Sequence, residues 1–132
     1  MKMVEIQIDK TAYPLCFSLR AVTEFCERYG TLDGCFARIK ELSGANNTPE
    51  LIQEYMWQLS IMLDAGYRIA CKDDKEAVKP PETDEFLDAF GISDLSYIQR
   101  KVIEAIGIGS QREVGAAAAK NGDGAAAQAP EN

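Results

Sequence analysis

Few residues in this chain could carry chemistry. It has four cysteines, Cys16, Cys26, Cys35 and Cys71, and no histidine. The cysteines form no C-x-x-C pair, the spacing on which most zinc sites depend. Without histidine, the commonest general acid/base and the commonest metal ligand are both missing. A cysteine nucleophile would lack its usual base. Cys26 and Cys35 also fall on apolar helical stripes, where thiols are inert. Asp73/Asp74 and Asp84/Glu85/Asp88 are acidic clusters, but they match no calcium-loop spacing and sit in charged, solvated segments. Gly107-x-Gly109 has two glycines of a phosphate loop, but the third glycine and the preceding strand are missing. Ser18 and Ser93 read as helix caps rather than nucleophiles. The sequence therefore predicts no catalytic residues, no metal site and no cofactor.

The chain has 132 residues, 46% of them apolar, enough for one modest core. Fourteen Lys and Arg against 21 Asp and Glu give a net charge of −7. With no dense basic block, there is no electrostatic source for nucleic-acid binding. No apolar run approaches the ~20 residues that cross a bilayer. The first nine residues carry acids and no long apolar stretch, which predicts a cytoplasmic protein with reduced thiols.

The elements around these residues follow from periodicity. Val4, Ile6 and Ile8 alternate with Glu5, Gln7 and Asp9, a period-2 strand pattern. Tyr13, Leu15 and Phe17 repeat it. The four residues 9–12 lie between, so an antiparallel hairpin over about 3–17 is expected. Pro14 has no N–H to donate, which assigns it to an open edge. After Ser18 the period becomes helical: Leu19, Val22, Phe25, Cys26 and Tyr29 share one face, and Gly30 stops the helix. Thr31 opens a second helix with Leu32, Cys35, Phe36, Ile39 and Leu42 as its stripe. A loop over 43–47 follows.

Thr48-Pro49-Glu50 reads as cap, N1 proline and first-turn acid. It opens the longest helix, running to about residue 70. Ile52, Tyr55, Met56, Leu59, Met62, Leu63 and Gly66 form its main stripe. Trp57 and Ile61 point to the other side, among Glu54, Asp64 and Arg68. Two readings stand for that spot: a central helix packed on both sides, or an anchor for a partner. Residues 72–81 read as an exposed charged connector. A short helix with Phe86, Leu87 and Phe90 follows. The last helix is capped by Ser93, lined by Leu95, Ile98, Val102 and Ile106, and ended by 107–109. The fold class is α+β and predominantly helical: an N-terminal hairpin packed against about five helices. Residues 1–109 form one domain. Residues 110–132, rich in Ala and Gly, are expected to be a flexible tail.

The order of these features resembles a known family. Tyr13-Pro14-Leu15-Cys16-Phe17-Ser18-Leu19 runs from the hairpin into a helix that ends in Glu24-Phe25-Cys26-Glu27-Arg28-Tyr29-Gly30. A second helix, a long helix near Asp64-Ala65-Gly66 and a late Phe90-Gly91-Ile92 … Val102-Ile103-Glu104-Ala105-Ile106 segment follow. Over residues 3–108 this resembles the tail assembly chaperones of long-tailed bacteriophages and prophages. The resemblance implies a non-enzymatic helper in the host cytosol. Such a helper binds the tape-measure protein, recruits tail-tube subunits and is absent from the mature virion. Related phages make a longer product by frameshifting, and here the branch would fall in the segment after Ser110.

A chaperone of this kind binds helices in apolar grooves, and negative charge keeps it in solution. Tyr55, Trp57, Ile61 and Tyr97 are the candidate partner-binding residues, with Phe86 and Phe90 assigned to the core. On the interface reading, Trp57→Ala would spare the fold and weaken capture. A free hairpin edge could also make a homo-oligomer by strand addition. The competing class is a structural part of the particle, such as a head–tail connector or a tube protein.

Overall fold

The computed structural model describes residues 3–110; the expected tail over 111–132 lies outside the described residues. The fold is α+β and predominantly helical, a two-stranded antiparallel hairpin packed on five α-helices.

Strand β1 (Val4–Ile8) buries Val4, Ile6 and Ile8 and leaves Glu5 and Gln7 in solvent, as the alternation dictates. It pairs with β2 (Thr11–Leu15) in the register Val4↔Leu15 to Ile8↔Thr11. The turn is shorter than the expected four residues. Thr11 and Ala12 belong to the strand, and Asp9 takes the bend at φ 55°. Asp is among the few residues that tolerate that conformation. Phe17 is buried just beyond the strand, where its ring meets Phe25 edge-on at 5.1 Å.

Helix α1 (Leu19–Tyr29) starts at Ser18, whose Oγ accepts from the Ala21 N–H at 3.4 Å. Gly30 ends it at φ 84°, donating its N–H to the Cys26 carbonyl. Its buried residues are Ala21 and Phe25, with Val22 and Tyr29 packed beside them. Leu19, expected on that stripe, is exposed instead. Helix α2 (Leu32–Gly44) is capped by Thr31, whose Oγ1 accepts from Gly34 N–H at 2.9 Å. Here too the stripe is narrower than expected: Cys35 and Leu42 are buried while Phe36 is exposed.

Helix α3 (Thr48–Asp73) spans 26 residues, about 39 Å. Its cap is Asn47, one residue before the expected Thr48, with Oδ1 accepting from Glu50 N–H. The expected stripe is buried from Tyr55 through Gly66, with Ile52 packed at its rim. Glu54 and Gln58, outside that stripe, are buried as well. The helix is central: β2 and α5 lie along it, and α1 and α2 cover the far side.

Helix α4 (Thr83–Ala89) is opened by a Glu82 N–H bond to Glu85 Oε1 at 2.7 Å. A short 3₁₀ turn, Ile92–Asp94, closes with Gly91 N–H on Asp94 Oδ2 at 2.8 Å and replaces the expected Ser93 cap. Helix α5 (Leu95–Gly109) buries Ile98, Val102, Ala105 and Ile106. Gly107 and Gly109 lie within this helix rather than stopping it early. Gly109 is needed for close approach, since a Cβ there would stand 2.6 Å from the Phe17 carbonyl oxygen.

Candidate functional site: a buried polar relay and two apolar grooves

Three features could serve a function: a polar relay between α1, α2 and α3, and two apolar grooves flanked by α5.

The relay is built from residues far apart in sequence. Arg28 Nε donates to Glu54 Oε1 at 3.2 Å, and its Nη2 donates to Oε2 at 3.1 Å. Tyr29 Oη donates to Glu54 Oε1. Gln58 Nε2 donates to Tyr29 Oη at 3.0 Å and to Cys35 Sγ at 3.4 Å. The fork of Arg28 thus grips both carboxylate oxygens, the strong geometry for such pairs. Burial works against ionisation of Glu54, but the hydrogen bonds from Arg28 and Tyr29 prevail and hold its pKa below the usual range. Burial drives the Tyr29 hydroxyl well above its ordinary value. Burial, with the Glu54 charge second, pushes the Cys35 thiol up to about 11.

These values define what the relay can do. A carboxylate saturated by donors is a weak base, and a phenol or thiol held protonated is a weak acid or nucleophile. Arg28, Tyr29 and Glu54 of the relay line a cleft of about 710 Å³ with Gly34, Ala37, Arg38 and Glu41. At its rim Arg38 is engaged by Glu41 and Glu50 at 2.8 and 3.2 Å. The arrangement fastens α1 and α2 to α3. Among the described residues no group of three or more Cys, Asp or Glu is placed to hold a metal ion.

Trp57 belongs to this fastening. Its ring lies 5.3 Å from Phe25 and meets Tyr29 edge-on at 5.8 Å, and the Arg28 guanidinium sits 4.5 Å over it. The expected fold-neutral truncation does not fit this position. Trp57→Ala is expected to cost about 2 kcal/mol, below the ~3–5 kcal/mol of a fully buried aromatic because the ring is only half-buried. Urea unfolding of the variant checks this.

The other candidate residues are dispersed. Tyr55 is 4% exposed, a core residue that forms the floor of a groove. Ile61 packs partly buried against the core. Tyr97 serves the hairpin: its Oη accepts the Gln7 N–H at 2.9 Å, while Arg100 and Lys101 lie over its ring. That bond occupies the outer edge of β1. On the other strand Pro14 has no N–H, and its carbonyl faces Gly66 of α3, so the edge expected to be open is covered there. At these positions the hairpin is a poor template for strand addition.

Two grooves remain. Between α2 and α5, Phe36, Ile39, Tyr55, Val102, Ile103 and Ile106 line a cavity of about 230 Å³, with Lys40 and Gln99 at its edge. Phe36 is 44% and Ile103 52% exposed on its lips. Between α4 and α5, Ile52, Met56, Phe86, Phe90, Leu95 and Ile98 line a smaller one of about 130 Å³, with Leu87 and Ile92 outermost. Sequence periodicity did not single out Ile103 and Leu87 as lining exposed grooves. The one available signal was a second large apolar residue beside each stripe, Ile103 next to Val102 and Leu87 next to Phe86.

No protein-family model matches the chain, and no curated protein or solved structure matches it at a significant level. Among the described residues, no helix is long and apolar enough to cross a membrane.

Proposed function

We propose that this chain is a non-enzymatic assembly chaperone of the phage-tail type. It binds the tape-measure protein and helps recruit tail-tube subunits during tail formation in the host cytosol, and it does not remain in the virion. The observation that carries this reading is the open apolar groove between α2 and α5, with Phe36 and Ile103 on its lips. A groove of this kind accepts the apolar face of a helix. The resemblance in feature order over residues 3–108 supplies the class of partner, and the charge of −7 suits a helper that must stay dissolved while exposing apolar side chains.

The test is co-expression with the tape-measure protein of a long-tailed phage, the proposed partner. Ile103→Asp is expected to cut co-purification of that protein about tenfold, because a carboxylate would be buried unpaired in the interface. Thermal stability should stay within a degree or two, since the residue is exposed. Undiminished capture would refute the groove's role. Recovery of the protein from purified virions by mass spectrometry would instead favour a structural component.

A further inference from the structure

The groove between α4 and α5 differs from its neighbour in charge. Residues 80–99 contain Glu82, Asp84, Glu85, Asp88 and Asp94 and no Lys or Arg. Glu85 and Asp94 are occupied as backbone caps. Asp84 and Asp88 are exposed, lie one helical turn apart, and make no hydrogen bond or ion pair among the described residues. The nearest cations on α5 are engaged elsewhere, Arg100 over the Tyr97 ring and Lys101 also with Glu104 at 3.6 Å. Beside these free carboxylates stand Leu87, 52% exposed, and Ile92, 67% exposed, at the mouth of a cavity walled by Phe86, Phe90 and Leu95.

We propose that this groove is a second docking surface, whose occupant is a basic amphipathic helix: two or three aliphatic residues at i, i+3 and i+4 on one face, Lys or Arg flanking them. The apolar face would cover Leu87 and Ile92, and the flanking cations would meet Asp84 and Asp88. Charge complementarity selects the sign of the partner and speeds encounter, and the apolar contacts hold it. The chain's own residues 111–132 do not fit, because Val114 is their one large aliphatic residue. This surface is distinct from the α2–α5 groove and does not depend on the identity of the chaperone's partner.

The experiment uses the full-length protein and two synthetic 14-residue helical peptides of Leu with Lys and of Leu with Glu, sharing one Leu pattern. Binding is followed by amide chemical-shift perturbation. The Leu/Lys peptide is expected to bind with shifts centred on residues 86–95, and the Leu/Glu peptide at least tenfold more weakly. Asp84→Asn combined with Asp88→Asn should weaken the Leu/Lys peptide about three- to tenfold and flatten its salt dependence. Leu87→Ser should weaken it about tenfold while leaving the circular dichroism spectrum unchanged. Equal binding of both peptides, shifts centred on the α2–α5 groove, indifference to these substitutions, or no binding would each overturn the proposal. Loss of tape-measure capture by Ile103→Asp with these results intact would separate the two surfaces.

Discussion

Replacing Glu54 by Ala should destabilise the domain by about 3 kcal/mol, no more than the low end of the cost of breaking a buried pair from one side, because Glu54 is buried while the Arg28 side chain stays 37% exposed. The substitution strands the Arg28 guanidinium against the Trp57 ring and leaves the Tyr29 hydroxyl without its acceptor. Glu54→Gln keeps one acceptor oxygen and should cost less, about 2 kcal/mol. The pH dependence separates charge from shape. The Glu54 pKa is depressed in the folded state, so its contribution is fully present above about pH 4.5 and is lost as the pH falls through the folded value. Urea midpoints measured from pH 7 to pH 3 should therefore converge for wild type and Glu54→Gln at the acid end. A constant gap across that range would show that the pairing charge contributes nothing. Arg28→Ala combined with Glu54→Ala should cost less than the sum of the single losses, because the two residues share one interaction.

Gly66→Ala is expected to cost about 3 kcal/mol or more, although alanine is the better helix former. Helix α3 passes β2 so closely that an added Cβ would stand 2.2 Å from the Pro14 carbonyl oxygen and 2.8 Å from its carbonyl carbon. Both obstructing atoms are backbone, so no side chain can swing aside, and the hairpin must lift from the helix. Lifting it would also strain the bond from Cys16 N–H to the Met62 carbonyl. The readout is a fall in thermal midpoint with faster amide exchange across β1 and β2. Gly44→Ala, where nothing lies within 4 Å of the added carbon, is the matched control and should be nearly neutral.

The hairpin and the helix order were legible in the sequence because they rest on local signals. Alternation at 4–8, the Ser18 and Thr31 hydroxyls and the positive φ of Gly30 are each decided within a few residues. Width of burial was not legible. Leu19 shares the angular arc of Phe25, yet it is the first residue of α1 and lies at the margin of the core. Glu54 and Gln58 have the polarity of a solvent face. Their burial depends on Arg28 and Tyr29, about 26 residues earlier, and no periodicity encodes that pairing. The same limit applies to the candidate partner-binding residues. Trp57 and Tyr97 have the size of anchors, but their rings are spent on Arg28 and the aromatic cluster and on the edge of β1. Phe36, Ile103, Leu87 and Ile92 were ordinary stripe or near-stripe residues until the helices packed and left them outside.

The central claim is that this domain acts by lending apolar surface to another chain. The most direct measurement is calorimetric titration of the purified protein with the proposed partner, a purified phage tape-measure protein, at several temperatures. Burial of the groove predicts binding with a negative heat-capacity change, lost together with affinity in Ile103→Asp. Binding that is absent in the wild type, or equally tight and with the same heat-capacity change in the variant, would contradict it.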